Sequence, residues 1–381
     1  MQTIYLDHAA TTPIHPDVLE TMLAKSEDVF GNPSSIHQYG RHARKHMDDA
    51  RRTVAESIEA KEQEIIFTSG GTESNNLALI GTAFANKHKG KHIITSVQEH
   101  YATLDTVKYL ESCGFRVTYL PVGPSGQVDP KQIEQALTDE TILVSIMTVN
   151  NETGVIQPIA EIGQLLQAKD ILFHTDAVQA YGYIDLSVQA MAVDLLTLSS
   201  HKINGPKGVG CLYVKENVKI QPLFHGGEQE RQRRPGTENV INIIGFQQAV
   251  EILQQEKVIR KKRYAELKAL FLQTLQDEGI EYLVNGSLDQ SVPSIANISF
   301  PSCEVETLLT NLDLEGIAAS SGSACTAGSV EHSHVLIAMF NQDNERPKSA
   351  IRFSFGRDLS KEIVQEAAHR VAKVVKRLRN L

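Results

Sequence analysis

Cysteine is scarce in this sequence and widely spaced. The four cysteines are Cys113, Cys211, Cys303 and Cys325, and no two of them form a C-x-x-C pair. This spacing argues against a disulfide framework and a zinc knuckle, and it favours a reducing cytoplasm. The N-terminal stretch MQTIYLDHAATTPIHPD lacks the pattern of a secretory signal, and no apolar run reaches transmembrane length. We therefore expect a cytoplasmic protein without a membrane segment.

The chain also has fewer basic than acidic residues. The chain carries 37 Lys and Arg against 46 Asp and Glu, a formal net charge of −9. This balance argues against nucleic acid or an anionic membrane as a direct partner. With 381 residues, 41% of them hydrophobic, the chain exceeds the size at which one core stops growing, so two domains are expected.

Short apolar runs rich in β-branched residues alternate with amphipathic helical segments. The runs are EIIFTSG (64–70), HIITSV (92–97), FRVTYLPV (115–122), TILVSIMTV (141–149), ILFHTDA (171–177), DLLTLSS (194–200) and GVGCLYV (208–214). This alternation predicts an α/β fold with a mostly parallel seven-stranded sheet and helices on both faces. In such sheets, ligands bind at the carboxyl ends of the strands.

A long helical pattern from 245 to 278 leads into a smaller α+β domain. That domain is predicted to hold strands at 294–300 and 350–356 and a closing helix from Ser360. We expect a large domain at 13–257 and a small domain formed by 1–12 and 258–381. The small domain carries the stretch GIAASSGSACTAGSV, whose small residues around Cys325 are typical of a mobile loop at about 316–334.

The first predicted strand ends in a possible phosphate site. FTSGGTESNN passes from a strand into a helix through Gly71 and Thr72. Small residues there let backbone N–H groups and the positive helix end approach a phosphate. A plain N-cap at Thr72 is the alternative explanation.

Polar residues follow four further strands. His100 follows the second strand, where a lone histidine is more often structural than catalytic. Asn150 and Asn151 follow another strand, where turn formation suffices to explain either residue. Asp176 follows a buried strand and could either cap a helix or pair with a cation. Lys202 ends the next strand, where lysine is uncommon.

Together these residues predict a site for pyridoxal 5'-phosphate. The cofactor needs a phosphate cradle, a carboxylate for its ring nitrogen and an amine that forms an imine. Lys202 is the predicted amine; Lys207, in the turn NGPKG, is the alternative.

The chain resembles the cysteine desulfurases of the NifS/IscS type, which belong to the class V aminotransferase family of fold-type-I pyridoxal phosphate enzymes and have an aspartate aminotransferase-like fold. The resemblance runs end to end through YLDHAATTP, GNPSSIHQYGR, FTSGGTESNN, HTDAVQ, SSHKINGPKGVG, RRPGTEN, SSGSACT and IRFSFGR. The form SSGSACTAGS is similar to the group with a long flexible loop.

The resemblance implies a role for each site residue. Catalysis would use Cys325, Lys202 and His100, with His100 stacking on the ring and as our candidate acceptor of the Cys325 thiol proton. Asn151 and Arg352 would hold the substrate carboxylate, for which the planar Arg fork is suited. The cofactor would be bound by Gly71, Thr72, His100, Asn151, Asp176, Gln179, Ser199, His201, Lys202 and, from the partner subunit of a homodimer, Thr237.

The implied reaction removes sulfur from L-cysteine, giving L-alanine and a persulfide on Cys325. An acceptor protein, either an iron–sulfur scaffold or a tRNA-thiolating enzyme, would then take the sulfur. The alternatives are a selenocysteine lyase or aminotransferase of the same fold, and a non-enzymatic sulfur carrier.

Other histidines indicate no metal site. His42 and His46 have the i, i+4 spacing of a helical metal pair, but no third ligand follows them. His332 and His334 are interpreted as a loop end.

Overall fold

Short strands alternate with helices along most of the chain in the computed structural model, which describes residues 3–322 and 332–380. The strands are β1 (Ile4–Tyr5), β2 (Ile65–Thr68), β3 (His92–Ser96), β4 (Arg116–Leu120), β5 (Thr141–Ser145), β6 (Leu172–Asp176), β7 (Leu195–Ser199), β8 (Gly210–Val214), β9 (Leu283–Val284), β10 (Ile295–Ser299), β11 (Ile317–Ala318) and β12 (Ala350–Ser354). The helices are α1 (Pro16–Asp28), α2 (Gln38–Glu56), α3 (Gly71–Asn86), α4 (Tyr101–Ser112), α5 (Pro130–Ala136), α6 (Ile159–Gln167), α7 (Val240–Asp277), α8 (Val305–Leu314), α9 (His334–Phe340), α10 (Glu345–Ser349) and α11 (Lys361–Leu378).

The main sheet of the described chain has seven strands in the order β2-β8-β7-β6-β5-β3-β4. Only β8 runs antiparallel to its neighbours, β2 and β7. Each of the seven apolar runs in the sequence forms one of these strands, so the predicted α/β class and mostly parallel sheet are confirmed. Strands β3, β5 and β7 are buried along their whole length, because helices cover both faces of the sheet.

The carboxyl ends of the parallel strands meet at one edge of the sheet. Strands β3, β5, β6 and β7 are successive parallel neighbours in the middle of the sheet. The residues that follow them in the chain are therefore close in space, although more than 100 positions separate the first strand from the last. This edge carries the site described below.

A second, smaller sheet has the order β12-β10-β9 and is antiparallel. Its apolar face packs with α7 and α11, and the core between them includes Phe271, Phe353 and Val371. Leu6, from the N-terminal segment, is buried in the same core. The predicted strands at 294–300 and 350–356 and the predicted helix after Ser360 are all present.

Helix α7 connects the two sheets. It contacts α1 and α2 beside the main sheet and α11 beside the smaller one. The helix begins at Val240, five residues before the predicted start, and is continuous across the expected domain boundary at 257/258. The division into domains at 12/13 and 257/258 stays a prediction.

Neither a membrane span nor a metal cluster is found in the part of the chain that the structure describes. No helix there combines the length and the apolar character needed to cross a membrane. No group of three or more His, Cys, Asp or Glu side chains there could hold a metal ion. The rings of His42 and His46 on α2 pack edge to face, with centroids 4.9 Å apart and an interplanar angle of 82°.

Candidate active site

A cavity of about 300 Å³ lies at the carboxyl edge of the main sheet. Its walls come from the ends of the parallel strands, the N-terminal segment and β12 of the smaller sheet. The predicted site residues that line it are Gly71, Thr72, His100, Asn151, Asp176, Gln179, Ser199, His201, Lys202 and Arg352. Cys325, the predicted nucleophile, lies outside the described residues.

Lys202 ends a short 3₁₀ turn, Ser200–Lys202, directly after β7. Its Nζ donates to the backbone carbonyls of Ala9 and Ala10, the latter at 2.9 Å. Gln179 Nε2 donates to the same Ala9 carbonyl at 2.8 Å. Lys207, the alternative amine, is exposed and does not line this cavity. Of the two candidate lysines, Lys202 is the one that lines this cavity, and its role in imine formation stays a prediction.

Asp176 ends β6 and is 6% exposed. Its Oδ2 accepts a hydrogen bond from Asn75 Nδ2 at 2.7 Å, and its Oδ1 accepts one from the Val178 backbone N–H at 2.9 Å. The carboxylate thus has the capping contact that we considered as an alternative, and it also faces the cavity. These two donors hold a buried anion in place, as pairing with a cationic ring nitrogen requires.

Asn75 was missed from the sequence. It lies on α3 four residues after Gly71, so both residues are on one face of the helix, and both line the cavity. The motif FTSGGTESNN contains Asn75, but only the i, i+4 spacing on the predicted helix could have indicated that it faces the cavity. Asp176 is 101 positions away in the chain, so the hydrogen bond itself could not be predicted.

The start of α3 forms the anion cradle. The helix begins at Gly71, and its N-cap is Gly70, with φ +147° and no capping side chain. The alternative that Thr72 caps the helix is therefore wrong. Free N–H groups of the first turn and the positive helix end face the cavity. The buried Ser199 Oγ has no hydrogen-bond partner among the described residues, which leaves it available to a bound phosphate.

His201 lies beside this cradle. Its Nδ1 is 3.2 Å from Thr11 Oγ1. Burial lowers the pKa of His201 to about 4, and the nearby charges of Lys202 and Lys207 act in the same direction. The ring is therefore neutral at physiological pH and contributes a hydrogen bond, rather than a charge, to the cradle.

His100 is the N-cap of α4. Its Nδ1 accepts a hydrogen bond from the Ala102 backbone N–H at 3.0 Å, so the neutral ring carries its proton on Nε2. Burial lowers the pKa of His100, as do Lys202 and His334, while Asp176 opposes them. In this arrangement Nε2 is a donor. The prediction that His100 accepts the Cys325 proton requires the bond to Ala102 to break.

Arg352 lies on β12 and is 3% exposed. Its Nη1 donates to the Asn151 carbonyl at 2.9 Å and its Nη2 to Asp7 Oδ1 at 2.8 Å. Arg352 Nε and Asn151 Oδ1 are buried without a partner in residues 3–322 and 332–380. Arg352 Nε can donate a hydrogen bond to a ligand carboxylate, whereas Asn151 Oδ1 is an acceptor and is available to a ligand donor. The Asp7 contact was missed, although Asp7 lies in the motif YLDHAATTP.

Thr237 is not brought into the cavity of its own chain. It is exposed and lines a neighbouring cavity of about 140 Å³, together with Ser69 and Gly208. Its predicted contact with the cofactor of a partner subunit stays a prediction.

The arrangement fits pyridoxal 5'-phosphate. The amine of Lys202, the carboxylate of Asp176, the Ser199 hydroxyl at the end of β7 and the start of α3 line one cavity. These are the groups needed at the aldehyde, the ring nitrogen and the phosphate respectively. The unpaired buried atoms further show that the cavity is built for a polar ligand, because such atoms are costly without a partner.

The chain matches the aminotransferase class-V family over residues 4–366. It belongs to that family. The cofactor of the family is pyridoxal 5'-phosphate, so the family and cofactor predicted from the motifs are confirmed. When bound, the cofactor supplies an electron sink for bonds at the α-carbon of an amino acid.

The class-V relatives with curated names match nearly the whole chain. The chain is 53% identical over 378 residues to the putative cysteine desulfurase IscS 1 of Bacillus subtilis (strain 168), with 99% of this chain and 100% of the relative covered. It is 47% identical over 380 residues to the cysteine desulfurase IscS of Dictyoglomus turgidum, covering 99% and 96%.

Solved structures are also similar to this chain over most of its length. A NifS-like protein superposes with a TM-score of 0.92 at 36% identity and covers all of both chains. SspA, solved in complex with cysteine, superposes with a TM-score of 0.80 at 36% identity and covers 93% of this chain and 99% of its own.

Proposed function

We propose that the protein is a cysteine desulfurase that converts L-cysteine to L-alanine and keeps the sulfur as a persulfide on Cys325. The observation that carries the proposal is the single cavity in which Lys202, Asp176 and the start of α3 face Arg352. The names of the full-length relatives support the same activity.

Arg352 and Asn151 bind the carboxylate of the substrate. Arg352 Nε and Asn151 Oδ1 are the unpaired polar atoms on this wall of the cavity, as described above. The Arg352 guanidinium is oriented by Asp7 and by the Asn151 backbone, so little side-chain entropy is lost when a carboxylate binds. A carboxylate accepts hydrogen bonds, so the group of the Asn151 side chain that can bind it is the Nδ2 donor.

Lys202 transfers protons, and His100 donates a hydrogen bond. The amine of Lys202 removes the α-proton of the substrate and returns a proton to carbon, since Lys202 lines the same cavity as Asp176 and Arg352. His100 donates a hydrogen bond from Nε2 into the cavity, because the Ala102 N–H occupies its Nδ1. The neutral His100 ring also has the planar face needed to stack on an aromatic ring.

Sulfur transfer conserves atoms and electrons. The Cys325 thiolate attacks the sulfur of the substrate, an S–S bond forms and the substrate C–S bond breaks. The electron pair of that bond remains with the β-carbon, which takes up a proton and becomes the methyl group of alanine. The transferred sulfur and the Cys325 sulfur are each oxidised by one electron and the β-carbon is reduced by two, so no external oxidant is needed. The net change is L-cysteine plus thiol to L-alanine plus persulfide.

The protein acts as a homodimer. Large apolar side chains are exposed between residues 14 and 39, among them Leu23 at 63%, Phe30 at 68% and Ile36 at 91%. A surface of this kind is typical of an interface. Thr237 is exposed on a loop, from which it can contact a partner subunit. Sedimentation should give a dimer for the wild type and a monomer for Phe30→Asp; a wild-type monomer would contradict this part of the proposal.

The persulfide passes to an acceptor protein in the cytoplasm. Either an iron–sulfur scaffold or a tRNA-thiolating enzyme has the thiol chemistry to receive it. Charging the enzyme with sulfur-labelled cysteine and adding each purified acceptor in turn tests this step. Label on neither acceptor would contradict it.

Substitution of Lys202 and Cys325 tests the activity. Lys202→Ala should lose the visible absorbance of the bound cofactor, and Cys325→Ala should keep that absorbance but form no alanine from L-cysteine. Cys113→Ala is the matched control and should behave as the wild type. Alanine formation at the wild-type rate by Cys325→Ala would favour a lyase or aminotransferase. Purified protein without cofactor absorbance would favour a sulfur carrier.

A further inference from the structure

Glu152 is a buried carboxylate directly behind the substrate wall of the cavity. It follows Asn151 in the chain, and its side chain is 1% exposed. The Asn150 side-chain oxygen accepts a hydrogen bond from the Glu152 backbone N–H at 2.9 Å, and Asn297 Nδ2, on β10, donates to the Glu152 carbonyl at 3.1 Å. The backbone of Glu152 is thus held from both sides, so its carboxylate occupies a fixed position.

This carboxylate contacts two separate points of the chain. Ser333 Oγ donates a hydrogen bond to Glu152 Oε2. The backbone of Gly322 packs against the same oxygen, since a Cβ added at Gly322 would lie 2.5 Å from it. Gly322 also has φ +94°, a conformation that a residue with a side chain adopts only under strain. One oxygen atom therefore determines where both residues can lie.

Gly322 and Ser333 flank the segment that contains Cys325, which itself lies outside the described residues. Gly322 also lines the cavity that holds Lys202. Gly322 precedes Cys325 by only three positions in the chain, and Ser333 follows it by eight. We therefore expect a displacement of Gly322 or Ser333 to affect the segment that carries Cys325.

The same carboxylate is coupled to the His100 region. Glu152 Oε1 is 3.9 Å from His334 Nδ1. His334 Nε2 donates to the Glu99 carbonyl at 3.0 Å, and its ring is 4.8 Å from the ring of Tyr101. Glu99 and Tyr101 are the chain neighbours of His100. The contacts of His334 with Glu99 and Tyr101 therefore connect the start of α9 to the chain that follows β3.

Charged groups surround Glu152 from several elements. Burial raises the pKa of Glu152, while His334, the Ser333 hydroxyl and Arg352 each lower it. Burial has the largest effect, so the pKa of Glu152 is raised overall, and His334, Ser333 and Arg352 offset only part of that shift.

We propose that Glu152 is a positioning residue for sulfur transfer, which holds Gly322 and Ser333 at the distance from the cavity that lets Cys325 reach the substrate sulfur. The inference rests on the proposed cysteine desulfurase function and deepens it. It assigns Glu152, Gly322 and Ser333 to the persulfide-forming step alone and not to the binding of cofactor or amino acid.

Gly322→Ala and Glu152→Gln test the proposal in the cofactor-loaded enzyme. Gly279→Ala is the matched control for the glycine, because Gly279 has φ +72° but nothing within 4 Å of an added Cβ. Gly279→Ala therefore introduces an alanine at positive φ, as Gly322→Ala does, but no steric contact with another residue. Three quantities are measured: cofactor absorbance, the affinity for L-alanine from the change in that absorbance, and the single-turnover rate of sulfur labelling of the protein.

Both test variants should label about 10- to 100-fold more slowly than the wild type, the cost expected of a misplacement of about 1 Å at a reacting group. Cofactor absorbance and L-alanine affinity should stay within about twofold. Ser333→Ala, which removes the hydroxyl donor, serves in place of Gly322→Ala if that variant does not fold.

Two results would overturn the inference while leaving the proposed function intact. The first is labelling by Gly322→Ala and Glu152→Gln at the rate of Gly279→Ala. The second is a loss of L-alanine affinity as large as the loss of rate, which would make Glu152 a residue of the binding pocket. A wild-type enzyme that forms no alanine from L-cysteine would instead refute the proposed function, and this inference with it.

Discussion

The buried ion pair between Arg51 and Glu230 should be worth far more to stability than exposed pairs of similar geometry. Arg51 Nη1 and Nη2 bond the two oxygens of Glu230 at 2.8 and 2.6 Å, and the two side chains are only 11% and 2% exposed. Glu230 also accepts the Phe67 N–H at 3.2 Å. Glu230→Ala leaves a buried guanidinium without its anion and a strand N–H without its acceptor.

The expected cost of Glu230→Ala is about 3–5 kcal/mol, the usual penalty for an uncompensated buried charge. The double variant with Arg51→Ala should lose less than the sum of the single losses, because it leaves no unpaired charge behind. Backbone strain at residues 230–232 should add to the destabilisation that Glu230→Ala causes in this loop. Glu230, Arg231 and Gln232 have φ of +46°, +57° and +65°, which cost energy in non-glycine residues and need an anchor to persist.

Urea unfolding of the cofactor-free protein, followed by circular dichroism, measures these free energies. Glu216→Ala is the control, because Glu216 bonds Lys61 at 2.6 Å with both side chains at least half exposed, and its loss should not measurably shift the midpoint. A Glu230→Ala variant no less stable than Glu216→Ala would refute the reasoning. In the holoenzyme, the same variant should also bind cofactor more weakly if the loop ending at Thr237 contacts a partner subunit.

Three further predictions concern buried polar groups. Ser199→Ala should weaken binding of pyridoxal phosphate about 5- to 10-fold, about 1 kcal/mol, without destabilising the cofactor-free protein in urea, because Ser199 Oγ has no partner in the described chain; a loss of stability equal to the loss of affinity would contradict it. Asn75→Ala removes a donor from Asp176 and should weaken cofactor binding about tenfold in a spectroscopic titration. Asn76→Ala, at the half-buried neighbouring residue whose side chain bonds the Thr72 carbonyl, should not weaken binding. Equal effects of the two substitutions would rule out this role of Asn75. Burial lowers the pKa of Lys268 from about 10.5 to about 8, so between these values the unfolded chain binds more protons and stability rises with pH. The wild type should therefore gain about 1–2 kcal/mol relative to Lys268→Met between pH 7 and 9.5, and a constant difference in urea would contradict that pKa.

Much of the candidate site could be predicted because parallel strands make sequence position informative. His100, Asp176 and Lys202 each follow the end of an apolar run, and strands that end at one edge of a sheet bring such residues together. The three-dimensional structure was needed to decide between the alternative interpretations of single residues. Asn150 does form a turn, accepting the N–H groups of Glu152 and Thr153 at 2.9 Å, whereas its neighbour Asn151 faces the cavity.

The sequence by itself determined the strand pattern of the main sheet, the family and the residue types at the strand ends, because periodicity, composition and motifs are local properties. Only the tertiary structure decided which distant groups meet. The carbonyls of Ala9 and Ala10 hold Lys202, and Glu152 joins Gly322 to Ser333, across separations that no local pattern encodes. Glu152 illustrates the reason: many carboxylates in this chain could serve as an anchor, and only packing selects the one that is buried against both residues.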